Sequence, residues 1–128
     1  MAERCIPTNL LFATVSNRLK DATAPALGYL SLCKESMSGY SATTTTFGSE
    51  ITRAAVTPTI ETTTVTNDTI TLAKASWQPG ANTIYGAGVF TGSTGSNLQA
   101  FHEWAASITF AAGDMVNQTI KIQSKLGS

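Results

Sequence analysis

The sequence predicts an all-β protein: an antiparallel β-sandwich of about seven or eight strands, preceded by one short N-terminal α-helix. Threonine recurs along the chain, and its β-branched side chain suits a pleated, half-buried surface. Apolar runs alternate with turn signals about every 8–12 residues, the spacing of sandwiches and barrels. Charged residues make up only 12% of the chain, about half the usual share. Hydroxyl and amide side chains must therefore cover much of the surface.

The length of 128 residues predicts a single domain over residues 1–128, with an N-terminal arm and helix in 1–24 and the sandwich in 25–128. Eight basic residues balance eight acidic ones, and neither sign forms a run, so we expect neither nucleic acid nor a membrane as partner. No apolar stretch approaches the ~20 residues of a membrane span. The N-terminus does not read as a signal peptide, which predicts synthesis in the cytoplasm.

The first predicted element is the helix. Thr8 or Asn9 can cap it, and its apolar pattern ends near Asp21. Apolar residues at helical spacing give it one narrow stripe that should pack on the sheet or on a neighbour. That stripe consists of Leu11, Phe12, Val15 and Leu19.

A first strand over Ala26–Leu32 and a long loop over Lys34–Ser49 follow. The loop has few large apolar residues, and loops of this length inside compact domains tend to be functional. We therefore predict that the helix stripe and the loop form a protein interface. Its residues are Leu11, Phe12, Val15, Leu19, Met37, Tyr40 and Phe47.

The middle of the chain predicts two further strands. Glu50–Ile60 is the first, and its Pro58 indicates an edge, a bulge or the strand's end, because proline cannot donate to a sheet. Asn67-Asp68 predicts a tight turn. Thr69–Trp77 then returns as a strand with both faces at least half buried. Its two faces carry Ile70 and Leu72 on one side and Ala73, Ala75 and Trp77 on the other. Gln78–Asn82 is another turn.

A β-hairpin over Ile84–Phe90 and Leu98–Trp104 is the strongest pattern in the chain. Gly86 and Gly88 in its first arm predict a bulky neighbour at close approach, or a bulge. In its second arm alternation places Leu98, Ala100, His102 and Trp104 on one face and Gln99, Phe101 and Glu103 on the other. The closing elements are Ile108–Phe110, a turn at Ala111–Asp114, and a strand over Met115–Gln123 with Val116, Gln118, Ile120 and Ile122 on one face.

The sequence predicts no enzyme. His102 and Glu103 are neighbours on a strand, so their side chains diverge and cannot form a dyad. The tip Gly92–Ser96 lacks the lysine of a phosphate-binding loop and fits a hairpin turn. No nucleophile, base and orienting group converge, and we therefore expect no catalytic residue, cofactor site or metal site. Cys5 and Cys33 match no zinc spacing and fit either two free thiols, the favoured alternative, or a disulfide.

Three large side chains have two interpretations each. Arg53, near Glu50, fits either a buried fork that pairs with a carboxylate or a solvated arginine on the outer face. Trp77 and Trp104 fit the core, and the alternative makes one of them an interface anchor.

The order of several segments resembles a group of small structural proteins of tailed bacteriophages. These segments are GSEITRAAVT, VTNDTITLAKASW, IYGAGVF followed by a Gly/Ser turn, LQAFHEWA and AAGDMVNQTIKI, and the resemblance covers Ala26–Gln123. It is a resemblance of pattern and turn placement without a catalytic motif. Where those proteins often carry Glu before Ala-Gly, this chain has Gly86.

The resemblance implies a virion protein, made in the host cytoplasm and placed on the capsid surface. The first expectation is a capsid decoration, or cement, protein that bridges capsomers. Its partners would be the major capsid protein and copies of itself in a small cyclic homo-oligomer. A tail, collar or fibre-attachment protein is the alternative within the same resemblance. A carbohydrate-binding β-sandwich module is a second alternative, from composition alone.

Overall fold

A computed structural model describes residues 3–11, 13, 27–63 and 67–125. It confirms the all-β antiparallel fold. Residues 9–11 and 13 are helical, so a helix begins where it was expected, and the rest of the predicted helix lies outside the described residues. The strands are β1 (Arg4–Pro7), β2 (Tyr29–Cys33), β3 (Ala54–Ala55), β4 (Thr59–Thr63), β5 (Asn67–Trp77), β6 (Thr83–Phe90), β7 (Leu98–Thr109) and β8 (Val116–Lys125).

The strands form two sheets that pack face to face. The large sheet has the order β1-β7-β6-β2-β3, and the small sheet has the order β4-β5-β8. The pairs of neighbouring strands are antiparallel. Alternate apolar residues of both sheets meet between them, as expected for a sandwich. The buried residues of this interior core are Leu30, Leu32, Leu72, Trp77, Ile84, Ala87, Val89 and Ile120.

Strand β1 corrects the predicted division of the chain at residue 24. Its four residues pair with β7, Arg4 opposite Glu103 and Pro7 opposite Ala100. The stretch is too short to show alternation in the sequence, and its proline is tolerated because β1 is an edge strand. Residues 4–7 are therefore part of the sandwich rather than of a separate arm.

The strand predicted over Glu50–Ile60 is wrong, because the chain crosses from one sheet to the other within it. Ala54 and Ala55 form β3 at the edge of the large sheet, whereas β4 begins at Thr59 at the edge of the small sheet. Pro58 directly precedes β4. Its missing N–H therefore costs no sheet hydrogen bond, which agrees with the predicted strand end.

The turn predicted at Asn67-Asp68 is also wrong, since both residues are paired in β5. A bulge near the end of β5 corrects the predicted faces of this strand. Ser76 has a positive φ of 52°, and its N–H donates to Asn117 Oδ1 at 2.8 Å. The extra residue turns Trp77 to the same core as Leu72. The opposite face, with Ala73 and Ala75, is exposed.

The predicted hairpin is confirmed as β6 and β7. β7 extends to Thr109, with an irregularity in its pairing between Glu103, opposite Gly86, and Ile108, opposite Ile84. A second bulge lies where Val89 pairs with Ala100 while Phe90 pairs with Leu98. It moves Leu98 to the same side as Phe101, against the predicted alternation. The predicted turns at Gln78–Asn82 and Ala111–Asp114 and the buried face of β8 are as expected.

The loop of residues 34–49, here called the covering loop, lies on the outer face of the large sheet. Gly86 and Gly88 make this approach feasible, as the sequence predicted. A Cβ at Gly86 would overlap the carbonyl oxygen of His102 and lie 2.6 Å from Met37 Sδ, and one at Gly88 would overlap the Phe47 ring. The sandwich therefore has a third layer on one side.

Replacing Gly86 with alanine should destabilise the protein by about 1–3 kcal/mol, because the new methyl group meets backbone that cannot move aside. Gly39→Ala, in the same covering loop, is the matched control. Nothing lies within 4 Å of a Cβ at Gly39, so its free energy of unfolding should stay within about 0.5 kcal/mol of the original. Urea unfolding measures both, and equal values would contradict the close packing of the covering loop.

Candidate functional site

The covering loop was predicted to offer apolar anchors to a partner, and the structure corrects this. Met37 is fully buried and Phe47 is 5% exposed. Tyr40 is half-buried and stacks on Phe47 with ring centroids 5.8 Å apart. These side chains form a second core with Phe90, Leu98 and Phe101 of the large sheet. They are occupied within the chain because the glycines of β6 leave room for them.

The helix stripe is described only in part. Leu11 is buried, with 7% exposure, and lines a cavity between β1, β7 and β8. Phe12, Val15 and Leu19 lie outside the described residues, and their interface role stays a prediction.

The exposed surface of the covering loop is made of small polar residues and glycine. A carboxylate fastens its two ends: Glu35 Oε1 accepts a hydrogen bond from the Tyr40 hydroxyl and one from the Gly48 N–H at 2.9 Å. Burial, and next the hydrogen bond to Glu35, raise the pKa of Tyr40 well above its usual range. The phenol therefore stays protonated and donates, so this contact is a structural latch.

Arg4 of β1 ties the covering loop to the sheet. Its Nε donates to Glu103 Oε1 at 2.5 Å, and its two terminal nitrogens donate to the carbonyl oxygens of Tyr40 at 3.0 Å and Met37 at 2.7 Å. The guanidinium also lies over the Phe101 ring. Glu103 is 2% exposed. Arg4 places a positive charge beside its Oε1, whereas its buried Oε2 has no hydrogen-bond partner among the described residues. Sequence analysis missed this pair, since its members are far apart in the chain.

Arg53 is the buried fork, one of its two predicted interpretations. It pairs with Glu50 at 3.1 Å and donates to the carbonyl oxygens of Gly92 at 2.9 Å and Gly95 at 2.7 Å, and to Asn97 Oδ1 at 3.1 Å. Its Cζ lies 3.6 Å from the centre of the Phe90 ring. Arg53 thus fixes the tip of the β6–β7 hairpin, where a phosphate-binding loop was considered and rejected.

His102 and Glu103 have different partners, as the predicted divergence requires. His102 Nε2 lies 2.8 Å from Glu3 Oε2, whereas Glu103 pairs with Arg4. Within the described part of the chain, no three His, Cys, Asp or Glu side chains are grouped so that they could hold a metal ion. The same residues include no helix long and apolar enough to cross a membrane.

One end of the sandwich has the exposed apolar side chains that the covering loop lacks. Ile108, near the end of β7, is 50% exposed, and Met115, just before β8, is 59% exposed. The turn between them is fixed by the Ala111 N–H, which donates to Asp114 Oδ2 at 2.9 Å. Trp104 is half-buried beside this end and stacks edge-to-face with Phe110. Residues 105–113 carry no charged side chain. We call Ile108 and Met115 the apolar end.

The two tryptophans differ in burial. Trp77 is buried in the interior core, which confirms its core interpretation. Trp104 is half-buried and packs against the margin of that core, while its Nε1 donates to Gln118 Oε1 at 3.1 Å. A role of Trp104 as an interface anchor stays a prediction.

Cys5 and Cys33 are both free, in line with the favoured alternative. Burial raises the pKa of Cys33, and it raises the pKa of Cys5 together with the negative charge of Glu3. Only Cys5 is exposed. We expect Ellman's reagent to modify Cys5 in the native protein, slowly for a thiol because little thiolate is present, and Cys33 only after unfolding. Rapid labelling of both thiols in the native state would contradict the buried position of Cys33.

Replacing Arg53 with lysine should destabilise the protein by about 3 kcal/mol, because a single ammonium cannot satisfy Glu50 and the tip carbonyls together. Hydrogen exchange of residues 91–97 should accelerate more than exchange in β2. Arg4→Lys is the control, because it removes another arginine while the hairpin tip keeps its partners. If Arg4→Lys accelerated exchange at the tip as much as Arg53→Lys, the role of Arg53 as a local clamp would be wrong.

The described surface therefore offers one apolar end, small polar side chains over the covering loop, and open strand edges. Comparisons of the chain with protein families, with curated proteins and with solved structures found no match.

Proposed function

We propose that this protein is a virion structural protein of a tailed bacteriophage, a capsid decoration protein that binds the outside of the head and bridges capsomers. The observation that carries the proposal is the resemblance of pattern, because three of its five segments follow the strands. IYGAGVF lies in β6, LQAFHEWA in β7, and AAGDMVNQTIKI covers the last turn and most of β8. The other two segments depart from the strands, since the region of GSEITRAAVT leads from one sheet to the other and Asn67-Asp68 of VTNDTITLAKASW lies within β5. The resemblance is therefore supported by the strands and turns of the C-terminal part of the chain.

The apolar end is the surface that we assign to the shell. Ile108 and Met115 are the large apolar side chains that the described surface exposes most. The covering loop, by contrast, directs its apolar residues inward and exposes small polar residues. Burying exposed apolar area supplies free energy without a charge pattern. Contact through the apolar end therefore replaces the role first predicted for Met37, Tyr40 and Phe47.

Stabilisation of a shell follows from linkage. A head under pressure from packed DNA fails where capsomers separate, and a domain that touches two capsomers loses contacts when they part. The binding free energy of the domain then adds to the work of separation. Few charges and a balanced net charge mean that this binding should depend little on ionic strength, unlike contact between charged patches.

The double variant Ile108→Ser, Met115→Ser should bind heads stripped of decoration protein roughly 30-fold more weakly. Each residue, about half exposed, would contribute about 1 kcal/mol on burial, and 1.4 kcal/mol is tenfold in affinity. Cosedimentation of labelled protein with heads at low and high salt measures the effect. Thr43→Ala, an exposed change on the covering loop, is the control and should bind like the original.

Three outcomes would contradict this proposal. Binding to purified tails or collars and not to heads would favour the alternative structural role within the same resemblance. Release from heads by modest salt would show that charge rather than apolar burial holds the protein. Binding to oligosaccharides in the absence of particles would favour a carbohydrate-binding module.

A further inference from the structure

Strand β8 is a long edge with one described neighbour. It forms the outer strand of the small sheet and pairs with β5 alone among the described strands. The other edge strands are much shorter, with four residues in β1, two in β3 and five in β4, against ten in β8. A long edge presents a row of backbone donors and acceptors that another strand can pair with. β8 also contains no proline that would block such pairing.

A cavity of about 530 Å³ opens beside this edge. It is lined by consecutive residues of three strands: Cys5–Pro7 of β1, Ala100–His102 of β7 and Thr119–Ile122 of β8. Successive strand residues point to opposite faces, so a cavity on one face of the sheet would touch only every second residue. This cavity touches four consecutive residues of β8 and therefore runs along the edge of the strand. Leu11 of the helix also lines the cavity. As far as the described residues go, the side of the sandwich between the edges of β8 and β1 is therefore open.

We propose that β8 pairs with β8 of a second copy of this chain, in antiparallel orientation about a two-fold axis. Such an axis gives both copies the same contact and continues the small sheet across the dimer. This pairing concerns self-association alone and does not depend on binding to a capsid.

Alternation and charge fix the register of the pair. Two residues that lie opposite each other in the two strands must point to the same face of the sheet. The two-fold axis therefore passes midway between one residue of β8 and the same residue of the second copy, and we describe that residue as lying on the axis. Ile120 or Lys121 on the axis gives the greatest overlap of the ten-residue strand. Lys121 on the axis would place two like charges opposite each other, which is destabilising. With Ile120 on the axis, Lys121 faces Thr119 of the second copy.

The area of this contact is sufficient for a dimer. Nine paired residues give the contact a length of about 30 Å along β8. The two sheets lie about 10 Å apart, and with their outer side chains they give this side of the sandwich a depth of about 20 Å. Each copy would then bury about 600 Å², or about 1,200 Å² together, above the ~1,000 Å² expected of a biological interface. The second copy also covers the opening of the cavity.

Cysteine pairs test the register directly. On a Cys5→Ser background, Thr119→Cys protein and Lys121→Cys protein are mixed and oxidised; both positions are exposed, so folding should be unaffected. Directly opposite residues have Cα atoms about 4.5–5.5 Å apart, within disulfide range. We expect a disulfide-linked dimer of mixed composition, identified by its mass. Each variant oxidised alone is the control. In a dimer of one variant, residue 119 of one copy lies diagonally from residue 119 of the other copy, about 7–8 Å away, which is beyond disulfide range.

Sedimentation of the unmodified full chain is the second measurement. At about 100 μM, above the micromolar affinities of weaker interfaces of this area, the chain should sediment as a dimer. A monomer at that concentration would overturn the proposal. A dimer whose mixed disulfide forms no faster than the disulfides of the single variants would overturn it as well, since its contact would then lie elsewhere.

Discussion

The absence of side chains at Gly86 and Gly88 is the constraint on which the outer half of this structure depends. Both residues lie in the middle of β6, and a Cβ at either position would overlap neighbouring atoms. The two gaps let Met37 and Phe47 approach the sheet, so a chain segment of small and polar residues can cover an apolar face.

The two arginines consolidate this arrangement with charges that are turned inward. Arg4 binds two carbonyl oxygens of the covering loop, and Arg53 binds two carbonyl oxygens of the hairpin tip. Each also pairs with a carboxylate and lies over a phenylalanine ring. These segments are not in regular strands, so their carbonyl groups need such donors. The chain has few charged residues, and two arginines with their carboxylate partners form contacts within the fold. The described surface therefore consists largely of hydroxyl, amide and small apolar groups.

Sequence patterns predicted the features that depend on local chemistry. The hairpin of β6 and β7, the turn at Gly80, the buried face of β8 and the close approach at Gly86 all follow from alternation or from glycine. The errors arose where a distant contact decides. β1 is a strand only because β7 lies beside it, and Asn67 continues β5 because β8 extends to pair with it.

The part of the predicted interface that lies in the covering loop failed for a related reason. Isolated apolar residues in a polar loop look the same in a sequence whether they face solvent or a sheet. Burial of Met37 and Phe47 depends on the shape of β6, which no local pattern of the covering loop contains.

The covering loop lies on one side of the sandwich only, and this limits the surfaces that can contact a partner. The covering loop closes much of the outer face of the large sheet. The apolar end, the exposed outer face of the small sheet and the open side along β8 are described regions able to bury further area. Because β8 starts directly after Met115, antiparallel pairing of two β8 strands places the two apolar ends at opposite ends of the pair, about 30 Å apart. A bridging protein must hold two separate bodies at once. A two-fold dimer supplies two equal contacts at a fixed distance, whereas a single copy would have to supply them from one small end.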